Sequence, residues 1–373
     1  MQIQEVFKKF GNTYRYPMNY EQKKVYYSIM KCKTKNLGTH AYTCKCCKRK
    51  MISYNSCHNR CCPNCDDYKK EEWIEKRRED ILNVEYLHIV CSIPHEAKQL
   101  FIQNKRKGYD ILLSSATETI IKLIHNKYKI TPGIISIIHT WNQVGDYYPH
   151  VHMIITKGGI RKNKWIDVNN FIDIHKLESV FKREVIKRLI KEEISFYNQM
   201  KVYKEEKEKY LFSLLEKRWD CYSKSPFQGI EEVFEYLGKY IKKVWISNER
   251  IEKINKKSVV FRYKDSADRS KEKRMRLKGE EFIRRYLLHA LPKGFMKIRY
   301  YGIYALKNKT KRMRKLRIIT KTSKIKQRFK SKIELLKEIV GYDVRYCKRC
   351  IKRYMKPEKP PDKDGYSKKE RYA

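Results

Sequence analysis

The chain has 373 residues, and its 87 Lys and Arg against 42 Asp and Glu give a formal net charge of +45. An ordinary soluble fold does not need this excess, which indicates a polyanionic partner, most simply a nucleic acid. No apolar run approaches the ~20 residues of a membrane-spanning helix. The amino-terminal MQIQEVFKKF lacks the basic-then-apolar layout of a secretory signal. We therefore expect a cytoplasmic protein.

A dense block of cysteines follows a mixed, polar stretch (residues 1–20) and a predicted helix (21–31). Eight of the twelve cysteines lie in this block, between positions 32 and 65. Thiols stay reduced in the cytoplasm, so the block indicates metal binding rather than disulfides. Two C-x-x-C knuckles separated by 14 residues have the layout of a four-cysteine structural zinc site. The predicted ligands are Cys44, Cys47, Cys62 and Cys65, and a second zinc could use Cys32, His40, Cys57 and Cys61.

The next segment alternates between helix and strand. In chain order the sequence predicts a strand at 86–93, a helix at 109–127, and strands at 134–140 and 150–155. Pro94, the Pro132-Gly133 pair and the Gly158-Gly159 pair end or separate these elements. This order predicts an α+β fold with a ferredoxin-like antiparallel sheet and flanking helices, preceded by a small zinc-binding module.

Two histidines on the last of these strands are candidate metal ligands. His150 and His152 are two residues apart, so on a strand their side chains point the same way. Two imidazoles on one face supply half of a divalent-metal site. His139 falls on the adjoining strand, which makes a third imidazole near the metal geometrically possible.

A pair of tyrosines is the candidate nucleophile. Residues 170–222 are charged and helical, and we interpret them as a helical insertion. In the predicted helix that follows, Tyr236 and Tyr240 lie four residues apart and share a face, with Lys239 and Lys243 beside them. The spacing alone is weak because the chain contains 29 tyrosines. The strength of this predicted helix and the adjacent lysines single out the pair.

The carboxyl-terminal third is strongly basic. A predicted hairpin (259–264 with 273–277) leads to an amphipathic helix at 280–291, on which His289 is expected to be a core residue. Positions 307–332 hold thirteen Lys or Arg and no acid, which is typical of a solvated run or of an electrostatic clamp on DNA. The knuckle formed by Cys347 and Cys350 stands alone. The tail after Met355 is rich in Pro and Lys, a composition that predicts disorder.

Several motifs in order resemble one family. The segment HTWNQVGDYYPHVHMIITKGGI resembles the His-hydrophobic-His segment of the HUH transposases that move insertion sequences by a rolling-circle route. NSCHNRCCPNC resembles that family's amino-terminal zinc-binding domain, and the likeness continues through EVFEYLGKYIKKVWISN, FRYKD and EEFIRRYLLHALPKGFMKIRYYG. It covers about residues 25–310, and the presence of both tyrosines fits the two-tyrosine branch. Cys61 departs from the usual His, and the basic tail after Lys307 is unmatched.

The resemblance implies cleavage of single-stranded DNA at the ends of the element. His150 and His152 would hold Mg²⁺ or Mn²⁺, with a third ligand from His139, Gln143 or His88. Tyr236 or Tyr240 would attack phosphorus, giving a 5′-phosphotyrosine and a free 3′-hydroxyl without ATP. The metal and the two lysines would favour the phenolate.

The implied organisation has three parts and leaves alternatives open. They are a zinc-binding domain (1–75), a catalytic domain (76–310) and a basic extension (311–373), with DNA and a possible second copy of the chain as partners. Candidate phosphate contacts are Arg274, Arg276, Arg284 and Arg285, although a solvated charged face explains them nearly as well. A plasmid replication initiator or relaxase, a non-catalytic zinc-containing DNA-binding protein, and a phosphohydrolase that uses water are the competing functions.

Overall fold

The computed structural model describes residues 1–65, 71–75, 77, 80–169, 172–196, 204–227, 232–233, 236, 238, 244–265, 268, 271–323, 331–343, 345–350 and 354–357. Within these residues the strands form a five-stranded sheet, two three-stranded sheets and a two-stranded hairpin. Helices accompany the sheets, so the predicted α+β class is confirmed. No helix in the described part of the chain is both long and apolar enough to cross a membrane.

The helices and strands have the following bounds. The helices are α1 (Ile3–Phe10), α2 (Tyr20–Lys31), α3 (Lys98–Gln103), α4 (Lys105–Tyr128), α5 (Ile174–Lys191), α6 (Lys204–Ser213), α7 (Gly279–Leu288), α8 (Lys309–Ile319) and α9 (Lys332–Val340). The strands are β1 (Thr39–Cys44), β2 (Lys50–Tyr54), β3 (Tyr86–Ser92), β4 (Gly133–Trp141), β5 (Tyr147–Thr156), β6 (Gly158–Arg161), β7 (Lys164–Asp167), β8 (Cys221–Phe227), β9 (Ile251–Ile254), β10 (Ser258–Asp265), β11 (Lys271–Lys278), β12 (Ile298–Gly302) and β13 (Met355–Pro357).

The central sheet has the order β12-β4-β5-β3-β8, and all neighbouring strands are antiparallel. Strand β5 lies between β3 and β4, while α3 and α4 connect those two strands. This split β-α-β arrangement, closed by β8 at the β3 edge, is the ferredoxin-like topology predicted above. Strand β12 extends the sheet at the β4 edge.

The two faces of the central sheet have different coverings. Val151, Met153 and Ile155 of β5 pack in a core with α4 and α5. Because side chains alternate along a strand, His150 and His152 point to the opposite face. That face carries the smaller core in which Ile154 packs with Tyr304 and with residues of α8. We call it the histidine face.

A second core joins the amino terminus to the segment between β8 and β12. Residues of α1, α2, α7 and β10 pack there around Trp245, next to the cysteines at positions 32 and 62. Helix α1 is not among the elements predicted from the sequence, because residues 1–20 look mixed and polar. The buried side chains of Ile3, Val6, Phe7 and Phe10 nevertheless have helical spacing.

Strand β8 and the carboxyl-terminal region also differ from expectation. Strand β8 begins at Cys221, at the end of the segment interpreted as a helical insertion, and it forms an edge of the central sheet. Strand β13 pairs with β1 of the zinc-binding module, so part of the basic extension returns to the amino-terminal module. The predicted domain boundaries stay an interpretation. The tail that is predicted to be disordered lies outside the described residues from position 358 onwards.

Candidate active site

Three histidines of the central sheet come together on the histidine face. His139 of β4 is the register partner of His150 of β5, and His152 is two residues further along β5. One ring nitrogen from each lies within 4.8 Å of the others. The three imidazoles form a group that could hold a divalent metal ion. This group joins the predicted pair to the predicted third histidine.

The surroundings hold two of these imidazoles in the form that binds metal. Nδ1 of His150 lies 2.7 Å from the carbonyl oxygen of Tyr148. A carbonyl only accepts, so Nδ1 carries the proton and Nε2 offers its lone pair. Burial lowers the pKa of His150 to about 4. The pKa of His152 lies well below its usual value, mainly because the ring is buried. The neighbouring His139, His150, His88 and Lys224 lower it further. Both rings are therefore neutral near pH 7.

Tyr236 places its hydroxyl against this group. The hydroxyl lies 3.0 Å from Nδ1 of His152 and also hydrogen-bonds with Nε2 of His88. His88 is on β3, and its Nε2 lies 3.0 Å from the same His152 nitrogen. Burial, assisted by Lys224, lowers the pKa of His88 to about 3. A neutral imidazole in contact with a phenol can accept the phenolic proton.

The remaining predicted residues of the catalytic site have different positions. His88, one of the candidate third ligands, contacts Tyr236 and lies outside the three-histidine group. Gln143 is exposed in the β4–β5 turn, where its backbone carbonyl accepts hydrogen bonds from Arg250 and Trp245. The role of the Gln143 side chain as a metal ligand stays a prediction. Tyr240, Lys239 and Lys243 lie outside the described residues.

The turn between β4 and β5 fixes the register of the histidines. Gly145 has φ +82°, and a Cβ built there would lie 2.2 Å from the ring of Trp245. The Gly145 carbonyl lies 3.1 Å from Nε2 of His289. His289 is buried, as expected from its place on the predicted amphipathic helix. Arg285 binds Asp146 at 2.8 Å and donates to the carbonyl of Val144 at 3.0 Å. The second core thus clamps the hairpin that carries the three histidines.

The four predicted arginines are mostly engaged within the chain. Arg284 and Arg285 both pair with Glu281. Arg274 pairs with Glu252 at 2.7 Å, whereas Arg276 is exposed. Because Arg285 also holds the β4–β5 turn, its observed role is structural. DNA contact by these four residues stays a prediction.

The cysteines form two four-thiol groups that differ from the predicted ones. The first group combines the knuckle at 62–65 with Cys32 at the end of α2 and with Cys57. The Sγ atom of Cys65 lies 3.3 Å from that of Cys32 and 3.5 Å from that of Cys57. A tetrahedral zinc with bonds of about 2.3 Å needs sulfurs roughly 3.8 Å apart, so a small expansion would fit the ion.

The second group combines Cys44 and Cys47 with Cys347 and Cys350. The predicted sharing of one zinc by the knuckles at 44–47 and 62–65 is therefore wrong. The second predicted ligand set is also wrong in two members, since His40 and Cys61 lie outside both groups. Spacing along the chain could not reveal this arrangement because the thiol partners are brought together by distant strands.

Sequence reasoning missed two features of these sites. His88 is predicted from the sequence only as a possible metal ligand, although its position in the alternation along β3 places its side chain on the histidine face. The knuckle at 347–350 looks isolated in the sequence. In both cases the missing information was strand pairing: β3 lies beside β5, and β13 lies beside β1.

Comparisons with known proteins agree with this architecture. A family profile described as "Putative transposase" matches residues 133–312, which include the three histidines. A second profile, described as "Transposase zinc-binding domain", matches residues 2–93. No solved structure matches the chain.

Two curated relatives extend the similarity over most of the chain. "Putative transposase y4qJ" of Sinorhizobium fredii is 30% identical over 368 residues, which cover 94% of this chain and 92% of the relative. "Transposase for insertion sequence element IS801" of Pseudomonas savastanoi pv. phaseolicola is 23% identical over 295 residues, covering 74% of this chain and 68% of the relative. The family predicted from the sequence motifs is thereby confirmed. The chain belongs to the insertion-sequence transposase family whose members carry an amino-terminal transposase zinc-binding domain.

Proposed function

We propose that this transposase cleaves single-stranded DNA at the ends of an insertion sequence and transfers the strand through a phosphotyrosine at Tyr236, in a rolling-circle route. The observation that carries the proposal is the 3.0 Å contact between the Tyr236 hydroxyl and His152, a member of the three-histidine group. The proposed nucleophile and the proposed metal-binding group are thus in direct contact on one face of the sheet.

The chemistry is a transesterification. The phenolic oxygen of Tyr236 attacks the scissile phosphorus, the P–O3′ bond breaks, and the DNA leaves with a free 3′-hydroxyl. The bond to tyrosine replaces the bond that is broken, so the reaction needs no ATP. The phenolic proton passes to His88, whose ring contacts the hydroxyl, and the departing O3′ takes up a proton from solvent. The reverse reaction with a different 3′-hydroxyl joins the strands.

The three histidines are the proposed holders of Mg²⁺ or Mn²⁺. The fit rests on their mutual distances and on the hydrogen bond that directs Nε2 of His150 away from Tyr148. A divalent ion there would neutralise charge on the phosphate. Tyr240 is the proposed second nucleophile, which would allow a second cleavage while the first end stays attached.

The zinc-binding domain and a basic helix complete the proposal. Cys32, Cys57, Cys62 and Cys65 are the proposed ligands of a structural zinc, which leaves no open position for catalysis. Helix α8 packs on the histidine face through Met313 and Leu316. Its exposed side carries Lys311, Arg314 and Lys315, which would bind the phosphates of the single strand.

A gel assay with an end-labelled single strand and Mn²⁺ tests the proposal. Unaltered protein should form a DNA–protein adduct that survives denaturation. Tyr236→Phe should lose most of it, and Tyr236→Phe with Tyr240→Phe should lose all of it. The matched control is Tyr20→Phe, because Tyr20 is 62% exposed on α2. Normal adduct in the double variant would refute the assignment. Cut ends without adduct would indicate hydrolysis by water, and binding without cleavage would indicate a non-catalytic protein.

A further inference from the structure

The second four-thiol group is built from both ends of the chain. Cys44 and Cys47 belong to the amino-terminal module, whereas Cys347 and Cys350 follow the last helix, α9. The Sγ atoms of Cys44 and Cys350 lie 3.9 Å apart, and those of Cys47 and Cys347 lie 3.7 Å apart. Four sulfurs bound tetrahedrally at about 2.3 Å from one zinc lie roughly 3.8 Å from each other. The thiols therefore already have the spacing of a Zn(Cys)₄ centre.

The backbone around the two knuckles is arranged to hold this spacing. The first knuckle lies in the turn between β1 and β2, where the amide of Lys48 donates to the carbonyl of Cys44 at 3.0 Å. The second lies between Tyr346 and Tyr354, which pair as an antiparallel bridge. Strand β13 then pairs with β1, with Met355 opposite Cys44. The two knuckles thus face each other from segments that are joined by strand pairing, which is the layout of a zinc ribbon.

We propose that Cys44, Cys47, Cys347 and Cys350 bind a second structural zinc ion, which clasps the carboxyl-terminal segment to the amino-terminal module. The profile of the zinc-binding domain ends at residue 93, so it does not include the second knuckle. Cys44 and Cys347 are buried in a small apolar cluster with Met355. Such a small cluster is too little to hold a module of this size together without a metal.

The zinc would add a further anchor to the carboxyl-terminal segment, part of which packs on the histidine face. The segment that contains α8 is anchored there by an ion pair between Lys309 and Asp80 at 2.5 Å, and by a hydrogen bond from the amide of Asn83 to Thr322 at 2.8 Å. The chain then reaches the second knuckle, where the zinc would fix it to β1. The basic helix is thereby secured at both of its flanks, by contacts that do not involve DNA.

Metal analysis of the full-length protein tests the clasp. Elemental analysis by mass spectrometry should find two zinc ions per chain in the unaltered protein and one in Cys347→Ser with Cys350→Ser. Cys46→Ser is the control, because Cys46 lies in the same turn as the first knuckle but outside both four-thiol groups and is exposed. It should retain two ions. Two ions in the double variant would overturn the proposal, and so would iron in place of zinc.

Thiol labelling of the unaltered protein covers the case in which the double variant fails to fold. A pulse of N-ethylmaleimide, mapped by peptide mass spectrometry, should label Cys46 at once and spare the four proposed ligands. A zinc chelator should then make all four reactive together, with the half-buried Cys47 and Cys350 changing most. Rapid labelling of Cys47 and Cys350 before the chelator is added would contradict the proposal. Protein that is isolated under reducing conditions without zinc, and with disulfides among the four thiols, would contradict it equally.

Discussion

The hydroxyl of Tyr236 lies 3.0 Å from Nδ1 of His152, although the two residues are 84 positions apart in the chain. One comes from the region after β8 and the other from the middle strand of the central sheet. The contact joins the candidate nucleophile to the candidate metal ligands. His88 contacts the same hydroxyl and lies outside the three-histidine group, so we assign it to the nucleophile rather than to the metal.

The third metal ligand is predicted to be His139. Its ring nitrogen lies within 4.8 Å of those of His150 and His152, whereas Gln143 is exposed in the turn. His139→Ala should raise the Mn²⁺ concentration for half-maximal cleavage by roughly 10–100-fold or more, as expected for removal of a group that supports a metal site. Gln143→Ala is the matched control and should change it little. The opposite ranking of the two variants would assign the ligand to Gln143.

His88 is predicted to accept the proton of Tyr236. His88→Gln should lower the cleavage rate at pH 7 by about 10²-fold or more, the usual contribution of a general base. The rate should recover partly at higher pH, because hydroxide can then remove the phenolic proton. The dependence on Mn²⁺ concentration should stay unchanged. If this substitution instead weakened activation by Mn²⁺, His88 would belong among the ligands.

Gly145 is predicted to set the position of the β4–β5 hairpin, which carries the three histidines. Gly145 and Gly294 both have positive φ, +82° and +70°, so alanine strains the backbone at either site. Only at Gly145 would the added Cβ overlap another group, the ring of Trp245; at Gly294 the nearest atom is 4.0 Å away. Gly145→Ala should therefore be about 1–3 kcal/mol more destabilising in urea unfolding. Equal losses of stability would show that the packing against Trp245 is unimportant.

The exposed basic side of α8 is predicted to bind the DNA strand. Replacing Lys311, Arg314 and Lys315 by Gln should weaken binding of a single strand and lower the slope of log affinity against log salt by about 2, at roughly 0.7 per phosphate contact. The matched control replaces Arg183, Lys187 and Lys191, which are exposed on α5 at the opposite face of the sheet. Equal slopes for the two triple variants would place the DNA elsewhere.

The sequence was sufficient for features that depend on local periodicity. Alternation along β5 placed His150 and His152 on one face, and the order of strands and helices predicted the ferredoxin-like sheet. The same kind of argument would have found α1, whose buried Ile3, Val6 and Phe7 have helical spacing. The polar residues between these apolar positions give the segment a mixed appearance that hides the periodicity.

The partners of the cysteines could not be predicted in the same way. Two knuckles 14 residues apart satisfy the usual spacing of a zinc site, yet in the fold each joins a different pair. The amino-terminal knuckle faces Cys347 and Cys350, about 300 residues away, because β13 pairs with β1. Contacts of this range depend on tertiary pairing, and neither composition nor periodicity contains that information.

Identification of the residue that carries DNA after cleavage tests the proposed role of Tyr236 most directly. The full-length protein would be incubated with a single strand containing the end of the element and Mn²⁺, digested with nuclease and protease, and sequenced by tandem mass spectrometry. We expect a nucleotide joined through its 5′-phosphate to the phenolic oxygen of Tyr236. Attachment only to another residue, or cleaved DNA with no attached nucleotide, would contradict this role.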